Sequence, residues 1–289
     1  MRTLLVTGAR GQLGSDLVRS LTGEYKVVPA DIAEFDIANL EATLQYVHHV
    51  KPDVLIHCAA FTAVDACEAE QARAYLINAM GTRNVAVAAR KVDARLVYFS
   101  TDYVFDGEKP GPYCEYDQPN PLTVYGKSKL MGEAFVAQQV HAHFILRIAW
   151  LYGHSGANFV KTILRLARTD RELRVVHDQF GTPTWTVDVA RQLRQMLETE
   201  AYGTYHATAQ GSCSWFEFAK AILEEANLDV PVVPVTTEEF PRPAPRPKNS
   251  VLDNLLLRIQ GLDLMPPWRE SLSKSMAQTR RDEEEAHRE

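Results

Sequence analysis

The feature that most restricts the fold is a run of three evenly spaced glycines, Gly8, Gly11 and Gly14. They lie between a short apolar segment, Thr3–Thr7 (TLLVT), and a helical pattern over Gln12–Leu21. Such a turn lets backbone come close to a bound group. The helix beyond it offers unpaired N–H groups and a positive dipole end to an anion. Glycine-rich turns are common in isolation. Here the position after the first strand and before a helix gives the turn its meaning.

The alternation continues. Lys26–Ala30 (KVVPA), Asp53–Ala60 (DVLIHCAA), Arg95–Ser100 (RLVYFS) and His143–Trp150 (HFILRIAW) read as strands. Leu40–Val50, the Ala-rich Ala69–Arg90 and Thr123–Gln139 read as the helices between them. Strands separated by helices require right-handed crossovers around a parallel sheet. The expected fold is therefore α/β: a Rossmann-type, doubly wound parallel sheet over residues 1–150, binding a nucleotide cofactor. A smaller mixed α/β lobe over 151–279 follows, some of whose segments return to the first unit. There Asn158–Ala167, Val187–Thr199 and Trp215–Ala226 read as helices, the last capped by Ser214, and Thr204–Thr208 and Val232–Val235 as strands. Four prolines in the seven residues of Pro241–Pro247 predict an extended connection. The final segment, 280–289, carries eight charges in ten residues and is expected to be a solvated, frayed tail.

Composition narrows the partners. With Lys+Arg 31 against Asp+Glu 37, the net charge is −6, which argues against nucleic acid or an anionic membrane as a main partner. The four cysteines include no two-residue spacing of a zinc or redox motif, so no metal is expected. Free thiols, the absence of a secretory leader pattern, and no apolar run near ~18–20 residues together suggest a soluble cytoplasmic chain.

Several residues point to redox chemistry on a nucleotide cofactor. Asp31 ends the second strand, where a carboxylate accepts hydrogen bonds from an adenosine ribose and favours NADH. Arg10, inside the glycine turn, could instead take the 2′-phosphate of NADPH. Both cofactors stay open, and dual use fits. Tyr125 and Lys129 are four residues apart and share a helix face. A tyrosine has a pKa of about 10, and a nearby ammonium lowers it. The pair is suited to protonating a carbonyl oxygen as hydride reaches the carbon. Lys127 lies off that face. Ser100 and Thr101 end the fourth strand, where open α/β sheets place ligands. Thr101 is the preferred hydroxyl for holding the substrate carbonyl, and Ser100 is its rival.

These features together resemble the extended short-chain dehydrogenase/reductase family, and within it the branch of dTDP-4-dehydrorhamnose reductases. The resemblance rests on ordered blocks covering most of the chain: Thr7–Gly14 (TGARGQLG), Ala59–Glu68 (AAFTAVDACE), Ser100–Gly107 (STDYVFDG), Pro121–Leu130 (PLTVYGKSKL), Arg147–Gly153 (RIAWLYG), Asn158–Leu166 (NFVKTILRL), Asp178–Thr184 (DQFGTPT) and Arg246–Asp253 (RPKNSVLD). It implies reduction of the 4-keto group of dTDP-4-dehydro-β-L-rhamnose by NADPH or NADH. Thr101, Tyr125 and Lys129 would be catalytic. Gly8, Gly11, Gln12, Leu13 and Gly14 would meet the pyrophosphate, and Asp36 and Ile37 the adenine. Ala59, Ala60 and Thr62 would line the nicotinamide path, organised by Asn78. For the dTDP-sugar the resemblance implies Val64, Asp65, Thr101, Asp102, Tyr103, Trp150, Asn158, Thr184 and Arg246. Trp150 would stack and Arg246 would pair with the diphosphate.

One departure matters. Some members carry glutamates proposed to bind Mg²⁺ at a dimer interface, and this chain has Ser15 at one such place. Neither the metal nor that dimer is carried over, so a monomer and a homodimer both remain open. Three rival readings compete with this one. A 4,6-dehydratase needs a glutamate after the aspartate, but this chain reads Thr101-Asp102-Tyr103. A 4-epimerase would retain NAD tightly. A non-catalytic regulatory subunit, like that of methionine adenosyltransferase, would have no need for the Thr/Tyr/Lys set, whose presence favours an enzyme.

Overall fold

Six parallel strands form the centre of the molecule: β1 (Thr3–Thr7), β2 (Lys26–Ala30), β3 (Val54–His57), β4 (Arg95–Thr101), β5 (His143–Ile148) and a late strand, Gly203–His206. The structure, a computed structural model, describes residues 1–286. Across the sheet the order is Gly203–His206, β5, β4, β3, β1, β2. The chain steps outward from β1 to β2, then crosses back to lay β3 on the other side of β1. That reversal opens a crevice at the carboxyl ends of β1 and β3, where doubly wound sheets bind their ligands.

Both faces of the sheet are covered, which explains why its strands are continuous apolar runs. Leu4, Val6, Ile56, Val97 and Leu146 point to one face and pack under α1 (Gln12–Leu21) and the Thr186–Leu197 helix. Leu5, Leu55, Leu96, Tyr98 and Ile145 point to the other, under α2 (Leu40–Val50) and the Thr82–Lys91 helix. Leu13, Leu17 and Leu21, at helical spacing on α1, are all buried.

A second lobe surrounds its own core of Tyr152, Ile163, Trp185, Phe218, Ile222 and Leu272. Its Val232–Val235 strand pairs in parallel with Leu173–Val176. Its Trp215–Ala226 helix starts as expected at Ser214, whose hydroxyl accepts from the Glu217 N–H while the Glu217 carboxylate accepts from the Ser214 N–H. Residues 241–247 form no helix or strand.

Three expectations need correction. The long helix over Ala69–Arg90 is broken into Gln71–Tyr75, a π-helical turn Leu76–Gly81 and Thr82–Lys91, after a separate Val64–Ala69 helix. Sequence periodicity does not register such a break, because tertiary hydrogen bonds hold it open. The strand over His143–Trp150 stops at Ile148; Trp150 turns the chain in a left-handed conformation with φ 45°, and Leu151–Tyr152 pairs instead with Thr184–Trp185. The charged segment is not frayed where described. The Trp268–Ala286 helix runs through 280–286, held by Arg280 donating to the Glu225 carbonyl and by a 3.4 Å contact between Asp282 and His154 Nδ1; 287–289 lie outside the described residues.

Among the described residues, the four cysteines are free thiols and no three potential ligands cluster around a metal-sized space. No helix there is long and apolar enough to cross a membrane.

Candidate active site

The glycine turn is shaped for close approach. Gly8 has φ +66°, and a Cβ there would sit 2.6 Å from the Ala59 nitrogen at the end of β3. A Cβ on Gly14 would overlap the Gly8 carbonyl, so α1 can press against the turn only because that position has no side chain. The first turn of α1 has neither a side-chain cap nor an acidic residue, which leaves its N–H groups available to an anion.

Two cavities meet at this turn. One, of about 420 Å³, lies over β1 and β2 and is lined by Arg10, Asp31, Asp36, Ile37, Ala59 and Ala60. It has the place and size for an adenosine. Asp31 there accepts from the Arg10 N–H at 3.0 Å and from the Ile32 N–H at 2.9 Å. The other cavity, about 530 Å³, runs from Gln12, Leu13 and Thr62 past Val64 to Thr101 and Tyr125.

Thr101 is the last residue of β4, and Tyr125 and Lys129 lie one turn apart on the Val124–Gln139 helix. Thr123 caps that helix by accepting from the Gly126 N–H at 3.0 Å. A Cβ on Gly126 would overlap the Tyr103 carbonyl, so this glycine lets the helix start against the Thr101–Val104 turn. Lys129 Nζ donates to the Phe99 carbonyl at 2.6 Å and lies 4.1 Å from the centre of the Tyr98 ring. The Thr101 hydroxyl donates to Asp102 at 2.9 Å. Its rival Ser100 donates to Glu133 at 2.5 Å, and Glu133 is held bidentately by buried Arg147 at 3.0 and 2.7 Å. The Ser100 hydroxyl is thus tied to an ion pair behind the sheet.

Burial dominates the electrostatics. It pulls Lys129 down to about 7, against the neighbouring carboxylate of Glu133. It pushes Asp102 up to about 6, opposed by the Ser250 hydroxyl nearby and by the hydrogen bond from Thr101. One Asp102 oxygen is buried without a partner. Tyr125 is also pushed up, by burial and then by the Asp102 charge, with Thr101 opposing. The expected lowering of Tyr125 by the ammonium is not found: burial dominates, and Lys129 is anchored to the Phe99 carbonyl instead.

Asn78 sits fully buried in the π turn. Its Oδ1 accepts from the Phe61 N–H at 2.7 Å, and its Nδ2 donates to the Phe61 carbonyl and to Ser128 Oγ. It ties the Ala59–Thr62 segment to the helix carrying Tyr125, and π turns recur at functional sites.

A third cavity, of about 620 Å³, opens in the second lobe beyond Tyr103 and is lined by Asp65, Phe240, Arg242 and Arg246. Arg246 pairs with Asp65 at 3.0 Å and lies 5.9 Å from the Tyr103 ring centre. Tyr103 and Trp215 line both this cavity and the one holding Thr101 and Tyr125, so the two join there. Trp150 lies in the latter beside Trp215.

Two residues implied as substrate contacts make hydrogen bonds within the protein. Asn158 caps the Phe159–Leu166 helix, accepting from the Lys161 N–H at 3.0 Å and donating to Gln12 Oε1 at 3.1 Å and the Gly153 carbonyl at 2.9 Å. Thr184 is fully buried and bonded to Thr182 and Ala209. Neither lines any of these three cavities. Trp215 was missed: its capped helix start was legible, but an aromatic at a helix start reads as core.

A family model described as the RmlD substrate binding domain matches residues 1–281. The spore coat polysaccharide biosynthesis protein SpsK of Bacillus subtilis is 43% identical over 273 residues, spanning 94% of this chain and 96% of its own length. The dTDP-4-dehydrorhamnose reductase of Aggregatibacter actinomycetemcomitans is 41% identical over 292 residues, spanning 96% and 99%. The crystal structure of dTDP-4-dehydrorhamnose reductase from Bacillus anthracis in complex with NADP is 47% identical, with TM-score 0.94 and coverage of 96% and 99%. Sequence relatives and three-dimensional likeness run nearly end to end, and the chain belongs to the dTDP-4-dehydrorhamnose reductase family.

Proposed function

We propose that this chain is an NAD(P)H-dependent oxidoreductase of the cytoplasm. It reduces the 4-keto group of dTDP-4-dehydro-β-L-rhamnose to give dTDP-β-L-rhamnose, a precursor for cell-surface polysaccharide. One observation carries the reading. Thr101, Tyr125 and Lys129 line one cavity, whose glycine-turn end adjoins the adenosine-sized space and whose far end opens into the second lobe.

The residues present fit the cofactor: Gly8 and Gly14 let β1, the segment after β3 and α1 close tightly beneath the turn, and the first turn of the helix behind it carries no acid. When bound, the reduced nicotinamide supplies the hydride. Residues 1–150 hold that group, and the lobe built mainly from 151–279 holds the sugar nucleotide.

Thr101 orients the substrate carbonyl through its hydroxyl. Tyr125 Oη gives its proton to O4. Its raised pKa keeps that proton in place at neutral pH until a stronger base, the developing alkoxide, lies beside it. Lys129, anchored on the Phe99 carbonyl, has further N–H donors for a ribose and steadies the phenolate Tyr125 leaves behind. Trp150 and Trp215, stacked on each other, give the deoxysugar an apolar wall. Arg246 presents a guanidinium suited to the diphosphate.

The test is direct. Freshly made dTDP-4-dehydrorhamnose is mixed with the protein and NADPH, then NADH, and absorbance of the reduced nicotinamide is followed. Substrate-dependent oxidation is expected, and no oxidation with either cofactor overturns the reading.

A further inference from the structure

We infer that the adenosine end of the cleft selects NADH over NADPH, and that Glu34 sets this selection through its hold on Arg10. The inference rests on the reading of this cavity as a nicotinamide-dinucleotide site.

Arg10 is the one cation among the described residues lining that cavity, against two acids, Asp31 and Asp36. A 2′-phosphate would need this guanidinium. It is already engaged, because Arg10 Nη2 lies 3.0 Å from Glu34 Oε1. Glu34 is itself fixed, because its other oxygen accepts from the Asp31 N–H at 2.7 Å. Backbone therefore holds the carboxylate, and the carboxylate holds the arginine.

Asp31 completes the arrangement. Each of its carboxylate oxygens accepts one backbone N–H, from Arg10 and from Ile32. Each keeps a lone pair for a ribose hydroxyl. A 2′-OH donates to such a group. A 2′-phosphate meets the Asp31 carboxylate and a guanidinium already neutralised by Glu34. Arg10 is 70% exposed in its side chain, so the lock is screened by water and biases the choice without barring NADPH.

Binding rather than turnover tests this. Nicotinamide fluorescence titrations of the intact chain with NADH and with NADPH should give about tenfold tighter NADH binding. Glu34→Gln keeps an oxygen for the Asp31 N–H and releases Arg10. It should tighten NADPH about fivefold and leave NADH within about twofold, which also reports an intact fold. Adding Arg10→Ala to Glu34→Gln should erase the gain. Equal or tighter NADPH binding by the unaltered chain, or a ratio unmoved by Glu34→Gln, overturns the inference. Failure of both cofactors to bind would instead sink the reading of the cavity.

Discussion

Trp150 and Trp215 stack face to face, with ring centroids 3.5 Å apart and planes 5° from parallel. The two come from opposite sides of the join between lobes: Trp150 from the left-handed turn after β5, Trp215 from the first turn of its helix. Gly181 backs the indole of Trp150, and a Cβ there would overlap it. The pair forms a fixed wall where the catalytic cavity meets the second-lobe cavity.

Removing one half of that wall should loosen the sugar more than the chemistry. Trp215→Ala is expected to raise KM for the dTDP-sugar about tenfold while kcat falls less, since offset or stacked aromatic pairs contribute about 0.5–1.5 kcal/mol beyond burial. Steady-state kinetics at saturating cofactor will show the split. A loss confined to kcat would remove Trp215 from substrate binding.

Tyr125→Phe keeps the ring and its edge contact with Tyr103 but removes the proton. Reductase activity should fall by at least about 100-fold, the usual scale of general acid catalysis, with cofactor affinity unchanged. Activity that survives would assign the proton to another group.

Lys129 gives the pH dependence its sign. Its pKa is lowered to about 7, so the ammonium is lost as pH rises through that value in the ligand-free chain. Tyr125 titrates far higher and stays protonated throughout. The kcat/KM profile should therefore decline above pH about 7. Lys129→Met should lower the rate at every pH and abolish the break. A profile flat from pH 6 to 9 would show that the lysine charge plays no part.

Glu133 and Arg147 are a buried pair, 7% and 6% exposed, and Glu133 also accepts from Ser100. Breaking one side leaves a charge without a partner. Glu133→Ala should cost about 3–5 kcal/mol by urea unfolding, and replacing both residues by methionine should recover most of it. A small loss for the single change would mean that water or another group reaches Arg147.

Much of the nucleotide half was legible because local rules and tertiary demands agree there. β1, β2, α1 and α2 occupy the residues that periodicity marks, and the glycines lie where backbone must touch backbone. Legibility fails where distant partners decide. The π turn at Leu76–Gly81 depends on Asn78 reaching Phe61 and Ser128, seventeen and fifty residues away. The left-handed Trp150 depends on Gly181 and Trp215. Asn158 and Thr184 were placed by resemblance to a motif, but their hydrogen bonds are taken by the protein itself. The engagement of Arg10 by Glu34 was invisible because charge pairing across a turn has no period.

The late strand Gly203–His206 lies against β5 and closes that edge of the sheet. A growing chain therefore carries the whole glycine turn and the Thr-Tyr-Lys set long before its scaffold is finished. Until residue 206 has left the ribosome, β5 has an open edge, a template for wrong strand pairing. The Thr186–Leu197 helix that packs beside α1 is also late, so that flank of α1 stays uncovered for most of synthesis. Folding must wait for contacts far apart in sequence, which makes it slow and exposes it to aggregation. A fragment cut after β5 would carry every motif of the nucleotide end and still be a poor soluble product.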